Sequence, residues 1–146
     1  MKALISVSTK QVFINAAIVI SMCLLTSCTR KISFLTSPVV PAARGYVTIK
    51  KDKNKNNVIQ LQITDLAEVQ RLQPPRQTYV VWMVTGSDKE KNIGQINSSS
   101  SLLSKTLKAS FETVSSIRPT KIFITAEDDG NIQFPSTQLV LSTDGF

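Results

Sequence analysis

The sequence has no histidine and only two cysteines, Cys23 and Cys28. Without histidine there is no imidazole base for a serine or cysteine triad and no zinc site that depends on imidazole. Two cysteines are too few for a four-thiolate metal site. Acidic residues are also scarce, 10 Asp+Glu against 17 Lys+Arg, so the formal net charge is +7. At roughly 100–200 residues per domain, the chain makes one folded unit at most. These absences name no reaction. The chain has to be read instead for where it goes and how it folds.

Its first residues read as an address. Lys2 and Lys10 form a positive n-region, and Val12 to Leu25 is apolar apart from Asn15 and Ser21. That stretch is the length of a signal-peptide h-region and short for a transmembrane helix. It ends in Leu25-Thr26-Ser27-Cys28, an aliphatic residue followed by two small ones and a thiol. Cys23 lacks this pattern, because Met22 fills the position that must be small. The tetrapeptide resembles the lipobox of bacterial lipoproteins. The resemblance implies a signal peptide over residues 1–27, a mature chain starting at lipidated Cys28, and anchorage to a membrane through more than one acyl chain. Thr29, rather than Asp, follows the cysteine, which favours the outer membrane over the inner one. With Cys23 removed and Cys28 acylated, no thiol remains for a disulfide or for redox work. A mature chain of this size buries about two-thirds of its unfolded surface and needs no such staple.

Residues 28–44, rich in Ser, Thr and Pro and including Pro38 and Pro41, read as a tether. Short Val-, Ile-, Thr- and aromatic-rich runs follow, separated by turn residues. Tyr46–Lys51 and Val58–Thr64 flank the polar cluster Asp52–Asn57 and predict a hairpin; Ile59, Leu61 and Ile63 alternate with Gln60 and Gln62 as in a half-buried antiparallel strand. Leu66–Leu72 has room for a helical turn before Pro74. Thr78–Thr85 is continuously apolar, as suits a central strand covered on both faces. Lys91–Ile96, Lys105–Val114, Lys121–Ala126 and Gln138–Ser142 complete the set, and Ser98–Ser101 reads as loop. About seven antiparallel strands over residues 45–146 predict an all-β, immunoglobulin-like sandwich.

From Thr78 onward the chain resembles the extracytoplasmic C-terminal domain of anti-sigma factors of the anti-sigma-K type. The residues that carry the resemblance are Tyr79-Val80-Val81-Trp82-Met83-Val84, Gly94, and Ile122 to Gly130 followed by Phe134-Pro135-Ser136. It spans about half of the mature chain and implies the sandwich fold. The family's cytoplasmic helical domain and membrane-spanning helix have no counterpart in this sequence, so sigma-factor regulation is not implied with it.

Several groups are candidates for chemistry. Glu127, Asp128, Asp129 and Asn131 surround Gly130, a set of hard oxygen donors that suits calcium but equally an ordinary turn; the spacing is not that of an EF-hand, and no metal is expected. Tyr79 and Trp82, with Tyr46 and Phe111, offer an aromatic platform. Three residues apart on one strand, however, Tyr79 and Trp82 face opposite ways. Lys50, Lys51, Lys53 and Lys55 crowd one hairpin tip, and of these Lys51, Lys53 and Lys55 are the expected binding residues for anionic lipid, a glycan or a protein. Ser98–Ser101 has no base beside it.

The sequence therefore predicts a lipid-anchored bacterial cell-envelope protein, non-catalytic and without cofactor. Its sandwich would bind or scaffold an envelope protein or glycan, and not nucleic acid. The alternatives are a sensor or regulatory module, and an enzyme using Glu127 and Asp129 on a glycan.

Overall fold

A computed structural model describes residues 30–96 and 108–146. It contains eight strands: β1 (Lys31–Ser33), β2 (Arg44–Lys51), β3 (Asn57–Thr64), β4 (Thr78–Thr85), β5 (Glu90–Ile96), β6 (Lys108–Ser115), β7 (Pro119–Glu127) and β8 (Leu139–Ser142). They form two antiparallel four-stranded sheets, ordered β1-β2-β3-β6 and β5-β4-β7-β8. The chain passes between the sheets at β3–β4, β5–β6 and β6–β7. This is the Greek-key wiring of an immunoglobulin-like sandwich, as the strand spacing predicts.

The expected hairpin is complete. β2 and β3 pair from Arg44↔Thr64 to Lys51↔Asn57, and β3 continues the ladder onto β6 from Asn57↔Ser115 to Thr64↔Lys108. The alternation along β3 sends Ile59, Leu61 and Ile63 into the core while Gln60 and Gln62 stay on the outer face. β4 lies between β5 and β7 and is buried on both faces. Tyr79, Val81 and Met83 enter the main core, which also holds Val47, Leu66, Ile122, Ile124 and Leu141. On the other face, Val80, Trp82 and Phe123 form a second cluster against which Val84 and Ile132 pack. The β7–β8 connection thus supplies cover for the outside of the second sheet.

The tether reading of residues 28–44 is corrected for residues 30–44; Cys28 and Thr29 lie outside the described residues. β1 pairs with β2 through Lys31↔Thr48, Ile32↔Val47 and Ser33↔Tyr46. The chain then crosses to the other sheet, where Phe34 bridges Thr143 and the Leu35 N–H donates to the Ser142 carbonyl at 2.8 Å. Beyond it the Val40 N–H donates to Ser37 Oγ at 2.8 Å, with Ser37, Val40 and Ala43 all buried. The segment is therefore packed rather than free: Ile32, Phe34, Val39, Val40 and Ala43 join the core, while Leu35 stays exposed.

Smaller differences concern boundaries. β2 begins at Arg44, β6 ends at Ser115, β7 runs from Pro119 to Glu127 and β8 starts at Leu139. The predicted helical turn is a short 3-10 segment, Val69–Arg71, with Leu66, Val69 and Leu72 buried around it. Ser98–Ser101 and the first residues of the Lys105–Val114 run are not among the described residues.

Candidate functional site

The antiparallel order gives the sandwich two unlike ends. The β2–β3, β4–β5 and β6–β7 turns lie at the upper pole, because Lys51 pairs with Asn57, Asn57 with Ser115, and Thr85 with Pro119. The β3–β4 and β7–β8 connections lie at the lower pole, where Thr78 pairs with Glu127.

The upper pole contains the predicted binding residues Lys51, Lys53 and Lys55, all exposed. Asp52 builds their turn. Its Oδ1 accepts the Asn54 and Asn56 N–H groups, each at 2.8 Å, and its Oδ2 accepts from Asn56 Nδ2 at 3.1 Å. Partial desolvation pushes the Asp52 carboxyl up, but the hydrogen bonds from Asn56 and Asn54 and the charge on Lys51 outweigh it and hold the group below the usual carboxylate value. Lys51 Nζ reaches across to donate to the Lys55 carbonyl at 3.0 Å.

Lys55 itself sits at φ 64°, in the left-handed region. A side chain there costs roughly 1–2 kcal/mol, which is why Gly or Asn usually fills such a position. Asn54 and Asn56 flank it, yet the strained position carries the charge. The β4–β5 turn repeats the geometry. The Asp88 N–H donates to the Thr85 carbonyl at 2.9 Å as the Lys55 N–H does to Asp52 at 3.1 Å, and Asp88 has φ 55°.

The topology adds basic side chains that are distant in sequence. Lys50 at the end of β2, Lys89 in the β4–β5 turn and Arg118 in the β6–β7 turn are exposed at the same pole. Beside them Val114 and Ile117 are 56% and 50% exposed. Ile117 and Arg118 escape a linear reading because they stand far from the lysine run, and Lys89 because it lies among Asp88, Glu90 and Lys91; only the placement of the turns at one end groups them. Near an anionic bilayer each Lys or Arg contributes about 1 kcal/mol.

The lower pole is differently charged. Among the described residues the ion pairs are Arg71–Glu68, at 2.9 Å, and Arg76–Asp128. Both lie here, so none of the described basic residues of the upper pole has a carboxylate partner. Arg76 Nε also donates to Gln138 Oε1 at 2.8 Å, and Gln138 Nε2 to the Pro74 carbonyl at 3.2 Å, which joins the two lower connections.

The acidic segment is taken apart by its surroundings. Glu127 is 3% exposed and accepts from Thr125 Oγ1 and, at 2.8 Å, from the Ser136 N–H. Asp128 turns to Arg76, and Asp129 Oδ1 accepts the Asn131 N–H at 2.9 Å. Among the described residues no three His, Cys, Asp or Glu groups come together as a metal cluster. Of the candidate catalytic pair, Glu127 is buried and Asp129 is exposed. Tyr79 and Trp82 lie on opposite faces of β4, both fully buried, while Tyr46 stays on the outer face under Lys31, whose Nζ is 4.4 Å from the ring centroid. The four aromatic residues form no common platform.

An open cleft of about 460 Å³ runs along β5 and the β7–β8 connection, lined by Lys91, Asn92, Gln95, Asn131 and Gln133 among others. Among the described residues the most exposed large apolar side chain is Phe134, at 81%. Its connection is fixed by Asn92 Nδ2, which donates to the carbonyls of Gly130 and Ile132 at 2.9 and 3.0 Å. No described helix is long and apolar enough to cross a membrane. Compared with protein-family models, curated proteins and solved structures, the chain matches none of them.

Proposed function

We propose that the protein is a lipid-anchored cell-envelope lipoprotein whose sandwich binds or scaffolds a partner at the membrane surface, without catalysis of its own. The observation that supports this best is the start of the folded domain. β1 begins at Lys31, three residues after Cys28, the thiol of the lipobox-like tetrapeptide. The fold takes up the chain almost as soon as the anchor ends.

Phe134 supports a binding role. An aromatic ring left in water on a connection held by hydrogen bonds is preorganised to bury itself against a partner, and such anchors contribute strongly to interfaces. Its connection starts and ends at the lower pole, away from Lys51, Lys53 and Lys55 at the β2–β3 tip. The chemistry of a candidate partner is an envelope protein or a glycan with an apolar face.

The test has two arms. Metabolic labelling with an alkyne palmitate is expected to mark the protein and to fail in Cys28→Ala; label that survives the substitution removes the anchor. Cross-linking in intact cells is expected to capture one dominant envelope partner, with capture reduced in Phe134→Ser. Capture of a signalling membrane protein selects the regulatory reading, whereas only generic neighbours, unchanged by Phe134→Ser, contradict the binding role.

A further inference from the structure

We infer that the upper pole is the membrane-facing surface of the domain, seated on anionic phospholipid headgroups of the leaflet that holds the anchor. This rests on the lipid-anchor reading of Cys28 and adds to it a fixed orientation.

Covalent reach makes the first half of the argument. From Cys28 to Lys31 the chain spans at most about 11 Å, even fully extended. Lys31 pairs with Thr48, and β1 runs antiparallel to β2, so β1 begins on the side of the β2–β3 tip. Three further ladder positions, about 10 Å, separate the Thr48 row from Lys51 at the pole. A lipid on Cys28 can therefore hold the bilayer level with the pole but cannot lift the domain clear of it.

Charge makes the second half. Lys51, Lys53, Lys55 and Arg118 present cations on two separate turns, and on a third Lys89 stands between exposed Asp88 and Glu90. Among the described residues neither ion pair involves any of them. The one acid in the β2–β3 tip, Asp52, turns its carboxylate onto the amides of its own turn. Exposed Ile117 stands beside Arg118, an apolar side chain next to a cation, as suits the boundary between headgroups and acyl chains. A soluble acidic partner accounts for the cations but not for their placement beside the anchor.

The test uses the full-length protein, purified from membranes and reconstituted into vesicles of phosphatidylethanolamine and phosphatidylglycerol, or of phosphatidylcholine alone. An environment-sensitive fluorophore is attached in Asn54→Cys, at the upper tip, or in Gln70→Cys, at the lower pole. Quenching by a headgroup-linked nitroxide lipid is the readout. In anionic vesicles the label at position 54 is expected to be quenched several-fold more than the label at 70. That difference is expected to shrink in neutral vesicles, at high salt, where screening shortens to a few ångströms, and in Lys51→Glu/Lys53→Glu/Lys55→Glu. Equal quenching at both positions, or a difference indifferent to lipid charge and salt, overturns the orientation; so does protection of position 54 only when an acidic protein or glycan is added. The mass of the N-terminal peptide separates the two levels. An unmodified Cys28 defeats the anchor and this inference together, whereas a lipidated Cys28 with equal quenching defeats only the orientation.

Discussion

The indole Nε1 of Trp82 donates to Thr125 Oγ1 at 2.8 Å, and the same hydroxyl donates onward to Glu127 Oε1. Trp82 and Phe123 are direct cross-strand partners, with ring centroids 6.1 Å apart and planes 11° from parallel. The outer cluster of the second sheet thus joins an aromatic stack to a buried polar chain that ends at the Ser136 N–H of the β7–β8 connection. Thr125 is the link that satisfies one buried donor and one buried carboxylate at once.

Thr125→Val keeps the shape and removes both bonds. An unsatisfied buried polar group costs roughly 1–3 kcal/mol, so a loss of about 2–4 kcal/mol is expected in urea unfolding followed by Trp82 fluorescence. Thr125→Ser, which keeps the hydroxyl, is expected to lose about 1 kcal/mol or less. Equal losses in the two variants contradict the polar chain.

Tyr79 makes folding stability depend on alkaline pH. Its hydroxyl donates to the Ala67 carbonyl at 2.9 Å, and burial pushes its pKa up to about 12. The unfolded phenol ionises near its ordinary value of about 10, so stability is complete below that pH and falls as pH rises towards 12. The difference between the folded and unfolded values corresponds to about 2–3 kcal/mol. Tyr79→Phe is expected to flatten the decline of unfolding free energy between those pH values, while losing the hydrogen bond at every pH.

Gly94 is a position where only hydrogen fits. Its φ is 138°, and a Cβ there would lie 2.7 Å from Cε2 of Phe111 in the facing sheet. Gly94→Ala combines backbone strain with overpacking and is expected to destabilise by about 2–4 kcal/mol. Gly86→Ala, which meets nothing within 4 Å, is expected to change stability by less than about 0.5 kcal/mol. Equal effects measured by urea denaturation contradict the contact.

The β2–β3 tip titrates with Asp52. Its carboxyl is held below the ordinary value, so the order it lends the turn is present above the unfolded carboxylate pKa and is lost as pH falls through the lower folded one. The amide signals of Asn54 and Asn56 are expected to shift together in acid, and to be insensitive to acid in Asp52→Asn. Lys55→Gly relieves the left-handed strain and is expected to stabilise the tip by about 1 kcal/mol.

Seven of the eight strands, the wiring class and the burial of β4 were legible because they follow from local pattern. Ile59, Leu61 and Ile63 alternate, and Thr78–Thr85 does not, as a half-buried and a doubly covered strand require. The opposite orientation of Tyr79 and Trp82 was legible for the same reason, since the irregularity beside Trp82 lies on β5 around Ile93 and leaves the alternation of β4 intact. β1 was not legible. Lys31-Ile32-Ser33 is too short to show a period, and Pro38 and Pro41 look the same in a linker and in a packed turn. Lys51, Lys53 and Lys55 stand out as a run, whereas Lys89 and Arg118 join them only through strand order. The acidic segment showed its composition but not its geometry, which depends on Arg76, Thr125 and Ser136 arriving from elsewhere.

β1 also sets how the molecule carries a load. A pull on the N-terminal side of Lys31 acts along the strand, while the hydrogen bonds to β2 run across it. Force applied to the chain before Lys31 therefore loads the bonds of the Lys31–Ser33 ladder together in shear instead of peeling them one at a time. The crossing at Phe34 and Leu35 passes tension from one sheet to the other. Tension between the start of β1 and the β7–β8 connection would thus be resisted by both layers of the sandwich.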